Sequence, residues 1–438
     1  MLPLNALLLY VLFLVDLSLA ATSHSLVHRS FQKLHRNVAR QTHSLAQDLR
    51  VAFRSVLLPR ADTSQHVIYC KSGSQVVFNN GNDGTTSATG SSTADSGSST
   101  SNSTSSTRRP TSSSTAKGGS SPTSAPSQPS SPWKLVNSYQ GSTFFDDWDF
   151  FTGGDPTHGI VDYIDENTAR SNNLLEVNSQ GNAVMRVETT PNVSGNRKSV
   201  RISTKAQFNG GLFIMDAAHM PTGCGIWPAF WTNGPTWPMT GEIDIVEGVH
   251  DYTNNQATIH TDVGCTLASS SPNTLAISGT VVGGTDCAAL TTGNQGCGIR
   301  ASTSNSFGAG FNANGGGTYA MKWDGSGISV FFFPHGSEPS DLGAGAPQPD
   351  NWGTPQARWP ASSCDPFKFF VNHNAIFDTT LCGDWAGGVW SSAGIPGQEQ
   401  SCAQRTGFST CEAFVRATGS AMQEAFWEVR SVKIYQTQ

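Results

Sequence analysis

From Asn79 to Pro132 the chain is dominated by Ser, Thr, Gly and Pro, with no large apolar side chain. Such a stretch buries too little apolar surface to offset its ordering entropy, so it is predicted to be disordered. Any folded core must therefore lie to one side of it. We divide the chain into residues 1–20, a signal peptide; 21–70, a basic extension or pro-segment; 71–132, a Ser/Thr-rich linker; and 133–438, the folded domain.

The folded domain has a β texture throughout. Strand patterns recur at Arg201-Ile-Ser-Thr-Lys, Gly211-Leu-Phe-Ile-Met, Ala257-Thr-Ile-His-Thr, Thr318-Tyr-Ala-Met-Lys-Trp and Ile328-Ser-Val-Phe-Phe-Phe. Asp324-Gly-Ser-Gly between the last two is a hairpin signal. Phe367-Lys-Phe-Phe-Val and Ala425–Tyr435 complete the set, and amphipathic helical patterns are scarce. Many short strands joined by Gly-rich turns predict an all-β sandwich.

The ends set the compartment. Ala6–Val15 is an apolar run closed by Leu-Ser-Leu-Ala-Ala, which suits cleavage after Ala20 and is too short for a spanning helix. No Lys or Arg precedes the run, and an uncleaved anchor is the alternative. Between Ser23 and Arg60, Phe31, Leu34, Val38, Leu45, Leu49, Ala52 and Val56 form one helical stripe opposite a face rich in Arg. Of nine cysteines, Cys70 stands alone and eight fall between Cys224 and Cys411. An even set behind a signal peptide predicts disulfides, and no CxxC spacing supports zinc. Asn102-Ser-Thr and Asn192-Val-Ser are glycosylation sequons.

Charge narrows the partner. Residues 134–438 carry 15 Lys and Arg against 27 Asp and Glu, while residues 1–133 carry 11 against 5. An acidic folded domain does not suit nucleic acid, which needs basic grooves. It is compatible with a neutral polymer.

The chemistry concentrates in Glu242-Ile-Asp-Ile-Val-Glu247. On a strand, alternation puts Glu242 and Asp244 on one face and Ile243 and Ile245 on the other. Unbroken alternation would turn Glu247 into the core, where an unpaired carboxylate is costly. One extra residue, a β-bulge near Ile245-Val246, restores Glu247 to the acidic face. The two glutamates are then about four strand steps apart, roughly 13 Å between Cα atoms. Their carboxyls could approach to roughly 5–6 Å, the separation a retaining glycosidase needs for one nucleophile and one proton donor. Asp244 between them would hold the donor's pKa up. A solvated acidic strand face is the plainer reading, and the apolar neighbours argue against it. Trp227, Phe230, Trp231 and Trp237 lie just upstream, and indole faces stack on sugar rings.

Glu-Ile-Asp-Ile-Val-Glu, with Gly225-Ile-Trp-Pro-Ala-Phe-Trp231 before it, resembles glycoside hydrolase family 16. Two residues between Asp244 and Glu247 match its laminarinase-type branch. Asn255-Gln-Ala-Thr-Ile-His260-Thr and Phe369–Gly388 are similar to fungal secreted members. The resemblance covers most of residues 134–438. It implies a jelly roll with a concave substrate cleft, Glu242 as nucleophile, Glu247 as general acid/base and Asp244 as the assisting carboxylate. It also implies His260 beside the acid/base, Trp231, Trp237 and Trp385 as sugar platforms, and Arg201 as a hydroxyl donor. Some members hold a structural calcium on the convex side; no EF-hand spacing occurs here, and no cofactor is expected to be required.

These readings converge on a secreted, monomeric, endo-acting β-glucanase for β-1,3 and β-1,3-1,4 glucans. Its partner would be the polysaccharide, with neither nucleic acid nor membrane beyond the signal segment. A cell-wall transglycosylase using the same carboxylates and a non-catalytic glucan-binding protein are the alternatives.

Overall fold

The computed structural model describes residues 130–437. The readings of the signal segment, the basic extension, Cys70 and all but the end of the linker lie outside the described residues. The early strands are β1 (Trp133–Gln140), β2 (Trp148–Phe150), β3 (Val161–Tyr163), β4 (Leu175–Val177), β5 (Ala183–Arg186) and β6 (Arg197–Ser199). Next come β7 (Ile202–Thr204), β8 (Gly211–His219), β9 (Ile226–Asn233), β10 (Glu242–Glu247), β11 (Gln256–His260) and β12 (Thr280–Val281). The last are β13 (Ile299–Arg300), β14 (Gly317–Asp324), β15 (Gly327–Pro334), β16 (Ala357–Pro360), β17 (Asn374–Leu381) and β18 (Phe426–Thr437).

Two eight-stranded antiparallel sheets make the sandwich. One, the site sheet, runs β12-β13-β11-β10-β9-β17-β7-β2. The back sheet runs β16-β15-β14-β8-β18-β5-β4, with β1 added along β18. Neighbouring strands distant in sequence, such as β9 beside β17, make the topology a jelly roll rather than a meander. The predicted hairpin is β14–β15, closed by Gly325-Ser326 with Asp324 opposite Gly327.

The core lies between the sheets. From the site sheet Phe230 stacks on Phe377 at 4.5 Å, and Phe377 meets Trp427 of the back sheet edge-on at 5.3 Å. Ile202, Ile243, Ile245, Phe213, Met215 and Trp323 fill the same layer, all essentially inaccessible. Burial of this apolar surface is the main stabilising term.

One predicted strand is a correction. Phe367-Lys-Phe-Phe-Val is not extended: Pro366–Phe369 is a single helical turn, with Asp365 accepting from Phe367 N–H at its N-terminus and Pro at the first helical position. That local capping signal outweighs the β preference of the aromatics. The eight cysteines of the domain pair as Cys224–Cys402, Cys265–Cys364, Cys287–Cys297 and Cys382–Cys411. Among the described residues no helix is long and apolar enough to cross a membrane.

Candidate active site

The bulge in β10 positions the carboxylates. On the β9 side Asp244 pairs with Trp231 and Val246 with Phe230, so Ile245 and Val246 share one partner. Both side chains are buried in the core. The extra residue turns Glu247 back to the face of Glu242 and Asp244. Glu242 and Glu247 face Asn233 and Ala229 on β9, four residues apart, which is the strand distance predicted for the two glutamates.

On the other flank Glu242 pairs with His260 of β11, and His260 Nε2 lies 3.4 Å from Asp244 Oδ2. Gly296, at φ +59°, lies against this imidazole; a Cβ there would be 2.8 Å from Nδ1. The disulfide Cys287–Cys297 closes that loop.

Burial raises the proton affinity of all three acids, because a dry site disfavours their charged forms. Glu242 is pushed up to about 8, first by burial and then by the Asp244 charge, while His260, hydrogen bonding from Trp237 and Arg201 pull it down. Asp244 is raised to about 8 by burial, opposed by hydrogen bonding with Glu242. Glu247 is raised well above the usual range by burial and then by Asp244, even though Trp227 Nε1 donates to its Oε1 at 2.9 Å. Proton retention at Glu247 and the Arg201 guanidinium near Glu242 suit a donor–nucleophile pair.

The aromatic candidates differ in placement. Trp237, beside the cis peptide bond to Pro238, is 39% exposed next to Glu242. Trp231 is nearly covered, with the Arg201 guanidinium 5.0 Å from its ring centre. Arg201 also lies over Phe151 at 4.7 Å and 3.8 Å from Asp378. Trp385 is buried and meets Trp227 edge-on at 5.6 Å. Thus Glu242, Asp244, Glu247, His260, Trp231, Trp237 and Arg201 gather on or beside the site sheet's outer face, while Trp385 is buried edge-on against Trp227.

Sequence reasoning missed the parts that three residues play here. Trp227 donates to Glu247; its period-two spacing to Ala229 and Trp231 was a usable signal. Asp378 pairs through Ala229 with Glu247, and burial raises it to about 7, opposed by Arg201. Asn255 bonds the β10 backbone and left no separate sequence signal.

Among the described residues, two trios of potential metal ligands occur. One is Glu242, Asp244 and His260; the other is Asp251 with Cys224 and Cys402, whose sulfurs form a disulfide and whose carboxylate is paired with Arg405. Calcium takes six to eight oxygen donors, and neither trio supplies that side-chain set.

Residues 148–435 match the family described as XgeA-like, catalytic GH16 domain. The chain belongs to glycoside hydrolase family 16. A probable glycosidase of Schizosaccharomyces pombe is 42% identical over 69% of this GH16 chain and 69% of its own length. A probable endo-1,3(4)-β-glucanase of Aspergillus niger is also 42% identical, over 70% of this chain but only 40% of its own, so the GH16 chain spans less than half of that relative. Among solved structures, laminarinase 16A of Phanerochaete chrysosporium, with β-glucans in donor and acceptor sites, is 36% identical at a TM-score of 0.62. It aligns over 69% of this chain and 99% of its own. An elongating GH16 β-1,3-glucosyltransferase is 37% identical at a TM-score of 0.62, over 69% of this chain and 100% of its own.

Proposed function

We propose that this protein is a secreted, endo-acting, retaining β-glucanase that hydrolyses β-1,3 linkages, and β-1,4 linkages beside β-1,3 bonds. The observation that carries the reading is the bulge-restored row of Glu242, Asp244 and Glu247 on one sheet face, in a GH16 domain whose relatives are named glucanases and laminarinases. Glu242 attacks the anomeric carbon while Glu247 protonates the departing glycosidic oxygen, leaving a glycosyl ester on Glu242. Glu247, now a carboxylate, takes a proton from water as the water's oxygen displaces Glu242 and restores the starting configuration. Asp244 and His260 hold the charge distribution, and Trp237 stacks a sugar ring.

Four disulfides support an oxidising compartment, and the exposed sequon residue Asn192 is open to glycosylation. The partner is the β-glucan alone, met by a monomer.

The similarity to an elongating glucosyltransferase favours a second reading, in which a sugar hydroxyl replaces water in the second step. Product analysis separates the two. The purified chain is expected to release short oligosaccharides from laminarin, and Glu242→Gln to release none. Elongated products with an added oligosaccharide acceptor would favour transfer. Inactivity on every β-glucan would leave a binding protein.

A further inference from the structure

Beyond Asp244, β10 loses its partner on the β11 side. The ladder runs Glu242–His260, Ile243–Ile259, Asp244–Thr258 and stops, although pairing with β9 continues through Glu247. The bulge thus turns the Ile245 carbonyl and the Glu247 N–H toward a flank with no strand to receive them. One side chain takes both. Asn255 Nδ2 donates to Ile245 O at 2.9 Å, and its Oδ1 accepts from Glu247 N–H at 3.0 Å.

A primary carboxamide carries the donor and acceptor of a peptide group side by side, so Asn255 continues the ladder that the bulge interrupts. Its own backbone is anchored at both groups. Asn255 N–H donates to Ser306 Oγ at 3.0 Å, and Asn255 O accepts from Ala301 N–H at 2.8 Å. Ser306 Oγ donates in turn to Thr303 O at 2.7 Å, and the Tyr319 hydroxyl donates to Ser306 O. The side chain is fully buried, so bulk solvent does not compete for these two hydrogen bonds. A carboxylate here would keep the acceptor and lose the donor; an aliphatic side chain would lose both.

We infer that Asn255 is the positioning residue for Glu247: it pins the bulge on both sides and so fixes the direction from which the proton reaches the glycosidic oxygen. This rests on the reading of Glu247 as general acid/base. Asn255 does not touch the substrate. Its removal should therefore spoil proton delivery selectively, since small displacements of a catalytic group cost large factors in rate.

The test compares two substrates in the full-length chain: laminarin, whose leaving group needs a proton, and a dinitrophenyl β-laminaribioside, whose leaving group does not. Asn255→Ala is expected to lower kcat/KM on laminarin by about 10- to 100-fold and on the aryl substrate by less than about 3-fold, a fraction of what a general acid supplies. The ratio within one preparation is independent of the fraction folded. Asn255→Asp carries the same comparison if the alanine variant does not fold, and its added charge should also move the alkaline limb to higher pH. Equal losses on both substrates, or no loss on laminarin, would overturn the inference. Glu247→Ala is run alongside. If it shows the selectivity and the Asn255 variants do not, only the role of Asn255 fails; if Glu247→Ala lacks it as well, the proton-donor reading falls too.

Discussion

Asp378 and Glu247 lie in one cross-strand row, two strands apart, with Ala229 the residue between them. Four carboxyls therefore share the outer face of the site sheet, and Arg201 is the guanidinium placed beside Asp378 to balance them. Burial favours the protonated form of every member of the group, so the site binds protons more tightly when folded than when unfolded. That arrangement suits proton transfer and costs stability.

The cost has a defined pH dependence. A carboxyl whose folded pKa exceeds its unfolded value makes the folded state hold more protons between the two, so stability falls as pH rises through that window. For Glu242 the window runs from 4.5 to about 8, and for Asp378 from 3.8 to about 7. Thermal melts should fall from pH 4 to pH 8. Glu242→Gln should match wild type near pH 4 and melt about 5 °C higher at pH 8. Equal differences at both pH values would contradict the assigned shift.

The rate profile follows from the same charges. The nucleophile must be ionised, so the acidic limb of kcat/KM should lie above pH 4.5. The Asp244 charge raises both Glu242 and Glu247. Asp244→Asn should therefore move both limbs to lower pH while reducing the maximum by about 10- to 100-fold. A profile displaced upward, or unmoved, would assign the limbs to other groups.

The tryptophans should separate by assay. Trp237→Ala removes an exposed ring beside Glu242 and should raise KM for laminari-oligosaccharides about 5-fold, a stacking loss of about 1 kcal/mol, with the melting temperature unchanged. Trp385→Ala empties a buried position edge-on to Trp227 and should cost about 3–5 kcal/mol of stability in denaturant titration. The reverse pattern would make Trp385 the platform and Trp237 a support.

How far the site was legible depended on range. The face shared by Glu242 and Asp244, and the need for a bulge before Glu247, follow from strand alternation and the cost of burying a charge. Both are properties of six consecutive residues. The misread segment at Phe367 was also local, and its Asp365-Pro366 start carried the helical signal that aromatic content obscured.

Asn255, Trp227 and Asp378 were of another kind. Each reaches Glu247 or its flank from a different segment, through strand neighbours and loop anchors, and among them only Trp227 carried a local signal, its period-two spacing along β9. The same holds for the exposure of Trp237 and the burial of Trp385, which depend on what else packs nearby. By itself the sequence determined the β class, the disulfide-ready cysteines and the three-carboxylate face, because alternation and composition act over a few residues. Tertiary structure alone decided which side chains pin, cover and charge those carboxylates, because strand order and register bring together atoms that are far apart along the chain.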